Sequence, residues 1–284
     1  MERKDELLFI FFGTILFFWA LTFLLKFLIE KCYRNNLSHY TSLKLYFDQD
    51  LQKRWLYISY LISSLYSSLL VYGFFKSLYS CSFDSTSNNQ TGLFDGTLFT
   101  ERSCLHNMTD IQANWRVIYI SVMIFDLSVQ WIMVRDFTSS GAIQSYFHHA
   151  ITIFGSFSGL YLGSFIGTIS NGSLITEIST PFVNNRWFLA FHKKADGSLN
   201  IYNGLIMTLL FCFARVFYLS FITVFCLWPA LNQFKIDLAQ NGETLSFAQK
   251  LTYFSLYAYL VFVALNYYWF YRMVLGCLKV LGKR

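Results

Sequence analysis

Apolar residues along the chain gather in seven blocks separated by polar stretches: Leu7 to Ile29, Leu56 to Tyr79, Trp115 to Val134, Phe147 to Thr168, Leu174 to Ala190, Tyr202 to Trp228 and Leu251 to Leu275. A helix of about 20 apolar residues, rising about 1.5 Å per residue, crosses a hydrocarbon core of roughly 30 Å. The pattern therefore predicts an all-α integral membrane protein with about seven transmembrane helices. The fifth block is short, polar and contains Pro181, so it is expected either to cross the bilayer or to re-enter it. The first block lacks a small-residue cleavage site and is expected to remain as an anchor.

The polar stretches orient these spans. Lys31, Arg34, Lys44, Lys53 and Arg54 make the first connection basic, which places it on the cytoplasmic face, or the matrix face in a mitochondrion. Arg135, Lys193, Lys194 and the C-terminal Lys-Arg fall on the same side if all seven blocks cross. The long excursion from Ser80 to Asn114 falls on the other side and carries the sequons Asn89-Gln-Thr91 and Asn107-Met-Thr109. Cys81 and Cys104 lie in this excursion and are candidates for a disulfide, which needs an oxidising compartment. An endoplasmic reticulum membrane is favoured, with the mitochondrial inner membrane as the alternative.

Composition agrees with a bilayer environment: of 284 residues, 55% are hydrophobic, 20% aromatic and only 13% charged. The net charge of +6 comes mainly from residues between the blocks, so it reads as topology and headgroup contact and not as a nucleic-acid surface. The six cysteines show no metal-ligand spacing, and no phosphate loop, dinucleotide fingerprint or G-x-S-x-G elbow is present. No metal or cofactor is expected.

Charge inside such blocks needs a reason, because an ionisable group at mid-membrane costs upward of about 2.5 kcal/mol unless it is paired or wetted. Asp126, Glu177, Arg186 and Arg215 are two acids and two bases, so neutral pairing is available. Asp126 and Arg215 fall at similar depth, and they are expected to pair or to share a polar pocket. Pro181 has no amide hydrogen and follows Glu177 by four residues, which predicts a kink exposing the Glu177 carbonyl. His148 and His149 open the fourth block on the side where Arg186 ends the fifth. Adjacent helical residues point about 100° apart, so one histidine is expected to face a cavity and the other a neighbouring helix.

The series Phe125-Asp126-Leu127, Tyr146-Phe-His148-His149, Glu177-Ile-Ser-Thr-Pro181-Phe-Val-Asn184-Asn-Arg186-Trp187, Asn203-Gly204 and Ala214-Arg215 resembles the TLC-domain family, which includes the ceramide synthases and the translocon-associated TRAM proteins. The greatest likeness is to the small TLC-domain proteins. It covers about Lys53 to the C-terminus, dividing the chain into an N-terminal anchor with a basic loop (1–52) and a TLC domain (53–284). The resemblance implies a TLC-type bundle around a central cavity that accepts a lipid or acyl chain. Two departures stand against coenzyme A-dependent acyl transfer. The His-Asp acidic cluster of the ceramide synthases is replaced by Leu174-Ile-Thr-Glu-Ile-Ser-Thr180, and Ile62 stands where relatives tend to have a histidine in the second span.

The leading expectation is a protein that binds a membrane lipid in its bundle and influences lipid composition without catalysis. Its candidate site is His148, His149, Glu177, Asn184, Arg186 and Arg215, with Asp126 as charge partner. One alternative is a lipid acyltransferase or transacylase in which His148 or His149 is the base. The other is an accessory subunit of a larger membrane complex, with other membrane proteins as partners.

Overall fold

The computed structural model describes residues 3–34, 41–83, 108–162, 171–228 and 246–281, with isolated positions between 231 and 239. Cys104, Asn89, Asn107 and the Cys81 side chain lie outside the described residues. All regular structure in them is helical: α1 (Arg3–Arg34), α2 (Thr41–Phe47), α3 (Leu51–Phe83), α4 (Asp110–Val129), α5 (Ser140–Leu162), α6 (Thr180–Phe191), α7 (Ser198–Phe211), α8 (Tyr218–Ile222) and α9 (Phe247–Leu281). Among the described residues, five helices are long and apolar enough to cross a membrane: Arg3–Cys32, Leu51–Leu78, Asp110–Val134, Ser198–Phe225 and Phe247–Lys279. The fourth apolar block is α5, which begins at Ser140 instead of Phe147. The fifth is a composite of a 3-10 segment, Ser173–Ser179, and α6.

Local chemistry sets several of the ends. Thr109 starts α4 with a capping box: its hydroxyl accepts the Gln112 amide at 3.2 Å, and the Gln112 side chain accepts the Thr109 amide at 3.0 Å. The helix ends in a π turn, Gln130–Val134, closed by Arg135 in the left-handed region at φ 55°. The Asp136 carboxylate then accepts the amides of Thr138 and Ser139 at 3.1 and 3.0 Å, and the Ser139 hydroxyl accepts the Ala142 amide at 3.2 Å, which starts α5.

α4 is the central post and packs against α1, α3 and α5; α9 closes on α5, and α6 lies between α3 and α7. Phe18, Ile58, Ile62, Leu70, Val122, Phe125 and Leu174 form the core, each at most 2% exposed, so the anchor helix α1 contributes to the same core as the rest. α3 and α4 approach closely at Gly73, where an added methyl would sit 2.2 Å from the Trp115 ring. Phe9, Phe12, Phe27, Leu209, Phe213 and Phe217 face outward, as lipid-facing positions do.

Candidate functional site

Between α3, α4, α5, the 3-10 segment, α6, α7 and α9 lies a cavity of about 430 Å³. Its wall includes Tyr60, Tyr66, Met123, Phe211, Trp269 and Met273, and its polar groups include Asp126, Gln130, His148, His149, Glu177, Asn184 and Arg215. One carboxylate–imidazole contact and one ion pair organise these groups. Asp126 Oδ2 lies 2.9 Å from His149 Nε2, and Arg215 Nη2 lies 3.6 Å from Glu177 Oε1. Asp126 and Arg215, expected to pair or to share a polar pocket, do not pair with one another; each has its own partner, and both line the same cavity. Both reach one cavity, and rotation about each helix axis selects different partners.

The histidine pair divides. His149 reaches from α5 to α4, where its Nδ1 also sits 3.2 Å from Met123 Sδ, while Gln130 donates to Asp126 at 2.7 Å. His148 stacks on Phe262 at 5.3 Å between ring centres and lies at the same distance from Trp269. Its Nδ1 has no hydrogen-bond partner among the described residues. Trp269 is fixed in turn by donating to Gln144 Oε1 at 2.6 Å. His148 thus sits on an aromatic bed at the cavity wall, with one ring nitrogen unengaged.

Arg215 lies in a π turn, Cys212–Phe217, that interrupts the α7 to α8 helix. Such turns often occur at functional positions. Besides Glu177, the guanidinium donates to the Thr176 carbonyl at 2.8 Å, Asn266 Oδ1 at 3.2 Å and Thr180 Oγ1 at 3.3 Å. Thr180 donates to the second Glu177 oxygen at 2.7 Å, closing a ring of contacts. Glu177 and Arg215 are 4% and 6% exposed, so they neutralise one another away from solvent.

The string from Glu177 to Trp187 is a docking strip whose polar and aromatic residues meet different neighbours. Asn184 donates to the Tyr60 carbonyl at 3.2 Å and to Ser64 Oγ at 3.1 Å, tying α6 to α3. The Phe182 carbonyl accepts from Asn203 at 2.9 Å, tying α6 to α7, and Trp187 packs edge-on to Tyr60 at 4.9 Å. Pro181 does not kink a helix interior. The 3-10 segment gives way to α6 just before it, so Pro181 occupies the first turn, where no amide is needed, and the Glu177 carbonyl accepts the Thr180 amide. Arg186 is the displaced member of the candidate set: it is exposed, away from the cavity lining, and would touch a methyl at Gly204 at 3.4 Å.

Gln130, Tyr60, Gln144, Asn266 and Trp269 belong to the site but were not marked by the sequence pattern. Gln130 had a usable sign, its i+4 spacing from Asp126 on one helix face. Among the described residues no three His, Cys, Asp or Glu side chains are grouped to hold a metal ion.

Fold and site together define a multi-pass helical membrane protein with a cavity among its helices lined by both polar and apolar side chains. A family model described as TLC domain matches residues 4–275, and the chain belongs to that family. It is similar to TLC domain-containing protein 4-B of Danio rerio, 24% identical over 151 residues that cover 53% of each chain. It is also similar to TLC domain-containing protein 4 A of Dictyostelium discoideum, 27% identical over 139 residues, or 48% of each chain. The match to TLC domain-containing protein 4-A of Xenopus laevis is 36% identical over 69 residues, 24% of this chain and 27% of that one. The chain thus matches about half the length, or less, of these relatives. No solved structure matches.

Proposed function

We propose that the protein holds one membrane lipid or acyl chain in the cavity and thereby influences membrane lipid composition. The cavity carries this reading: at about 430 Å³ it falls in the range of roughly 300 to 1,000 Å³ typical of small-ligand sites, and aromatic and thioether side chains line it together with polar groups. Glu177 and Arg215 neutralise one another, and the Asp126 carboxylate is engaged by His149 and Gln130, so the pocket can stay formed with its polar groups partnered. The test is lipid analysis of the purified full chain. Ser63 is 6% exposed and lines the cavity, so Ser63→Phe fills it with a phenyl group. A near-stoichiometric retained lipid in the parent protein, reduced to a tenth or less in S63F, is the expected result. A parent protein that retains none, or an unchanged amount in S63F, overturns the reading.

A second reading, lipid acyl transfer, is favoured by the His149–Asp126 contact beside His148 in the same cavity. A carboxylate that orients an imidazole is a recurrent device of general-base catalysis. Incubation with labelled acyl donors tests it: a product or acyl-enzyme lost in both His148→Ala and His149→Ala supports transfer, and absence of both in the parent protein removes it. We place the protein in the endoplasmic reticulum membrane on the strength of its sequons. A glycosidase-sensitive mass shift that disappears in Asn89→Gln/Asn107→Gln is the expected outcome there.

A further inference from the structure

The cavity groups are not the whole of the buried charge. Arg116 is 1% exposed and is the largest fully buried side chain among the described residues. Its Nε, Nη1 and Nη2 make no hydrogen bond to any described residue. Arg215, by contrast, has an acceptor for each guanidinium nitrogen. A guanidinium stays ionised under all ordinary conditions, so it cannot shed its charge as a buried lysine or carboxyl can. A buried ion is stable only when a counter-charge and hydrogen-bond acceptors accompany it.

Position separates Arg116 from the cavity. It lies ten residues before Asp126 on α4, about 15 Å along the axis at 1.5 Å per residue, toward the capped start of the helix. Tyr119, one turn further on, lies beside Ser173 and Thr152. Asn171, two residues before Ser173, is 4% exposed, and both atoms of its amide group also lack a partner among the described residues. Among the described residues, neither the Arg116 guanidinium nor the Asn171 amide has an acceptor for its donors.

We infer that Arg116 is an anion site, separate from the cavity, that takes an oxyanion of the phosphate or carboxylate class. A planar guanidinium offers two parallel N–H donors to such a group, which is the geometry phosphate and carboxylate oxygens accept best. The anion arrives on a lipid headgroup or free in solution, and the two sources differ in whether an acyl chain is needed for affinity.

The test uses the purified full chain in neutral detergent, reading thermal midpoint and apparent affinity on titration with dioleoyl phosphatidic acid, oleate, inorganic phosphate, or dioleoylglycerol as the uncharged control. The expected result is a saturable upward shift with at least one anion, none with dioleoylglycerol, and at least tenfold weaker affinity in Arg116→Gln. A response to the two amphiphiles alone assigns a lipid headgroup; an equal response to phosphate assigns a free anion. The inference fails if no anion stabilises the parent protein more than dioleoylglycerol does, a result that does not depend on whether R116Q folds. It also fails if neutralising the acids of the Ser80 to Asn114 excursion that lie outside the described residues, Asp84→Asn/Asp95→Asn/Glu101→Gln, reproduces the R116Q loss, since the counter-charge would then be the chain's own. Ser63→Phe leaves the anion response unchanged if the two sites are separate, and abolishes it if they are one.

Discussion

Asp126 on α4 and His149 on α5 meet at 2.9 Å, both less than a tenth exposed, and Gln130 from the next turn of α4 donates to the same carboxylate oxygen. The contact joins two helices at the level of the cavity, so it acts on both packing and site. Removing His149 leaves the buried Asp126 carboxylate with Gln130 alone, and removing Asp126 takes away the carboxylate that faces the imidazole, whereas removing both strands neither group. A double-mutant cycle of Asp126→Ala and His149→Ala is expected to show a coupling of about 0.5–3 kcal/mol in unfolding free energy, with the double variant less damaged than the sum of the singles. Additive losses would mean that the two side chains do not interact in the folded protein.

Arg215 serves a different purpose, because its four acceptors come from three elements: Glu177 and Thr176 in the 3-10 segment, Thr180 in α6 and Asn266 in α9. A lysine keeps the charge but cannot direct a planar fork at all of them. Arg215→Lys keeps the charge opposite Glu177 but strands buried acceptors, and it is expected to lose about 1–3 kcal/mol of stability and to release the retained lipid. Thermal unfolding together with lipid extraction checks both effects. Full retention in R215K would reduce the residue's role to charge alone.

Much of this arrangement is legible in the chain. The apolar blocks mark α1, α3, α4, α7 and α9, and the unusual charges Asp126, Glu177 and Arg215 all line one cavity. The pairing is not legible, because spacing fixes depth while the partner depends on how far each helix is rotated. Arg215 shows why: it sits in a π turn, whose extra residue per turn shifts the face it presents, and nothing in Cys212–Phe217 announces that turn. Pro181 misleads for a related reason. Its missing amide predicts a kink only if an α-helix precedes it, and a 3-10 segment does instead. Arg116 is hidden by its place at the edge of an apolar block, where an arginine ordinarily reaches toward the headgroups.

Gly73 offers a purely steric check on the packing of α3 against α4. A methyl there would lie 2.2 Å from Trp115 Cε3 and 2.5 Å from Cδ2, closer than carbon atoms can approach, and the ring is wedged between the helices. Gly73→Ala is expected to cost about 1–3 kcal/mol by overpacking. Trp115→Leu in the same chain removes the obstructing ring, so the pair should recover part of that loss. A G73A variant with unchanged thermal midpoint would show that the helices separate here without cost.

Outside the membrane-spanning segments, Asp136 gives the clearest pH dependence. The Ser139 hydroxyl and the amides of Ser139 and Thr138 hold its carboxyl below the ordinary carboxylate range. A carboxyl whose value is depressed in the folded state favours folding above its unfolded value, about 4, and that contribution is lost as pH falls through the folded value. The turn linking α4 to α5 should therefore be fully formed near neutral pH and loosen on acidification below about 4. Hydrogen exchange of peptides covering 136–144, corrected for the intrinsic pH dependence of exchange, measures this directly. Asp136→Asn should make the same peptides exchange faster at neutral pH and remove most of their acid sensitivity, because the charged acceptor is gone. Equal protection in the parent and D136N proteins at both pH values would show that the backbone alone holds the turn.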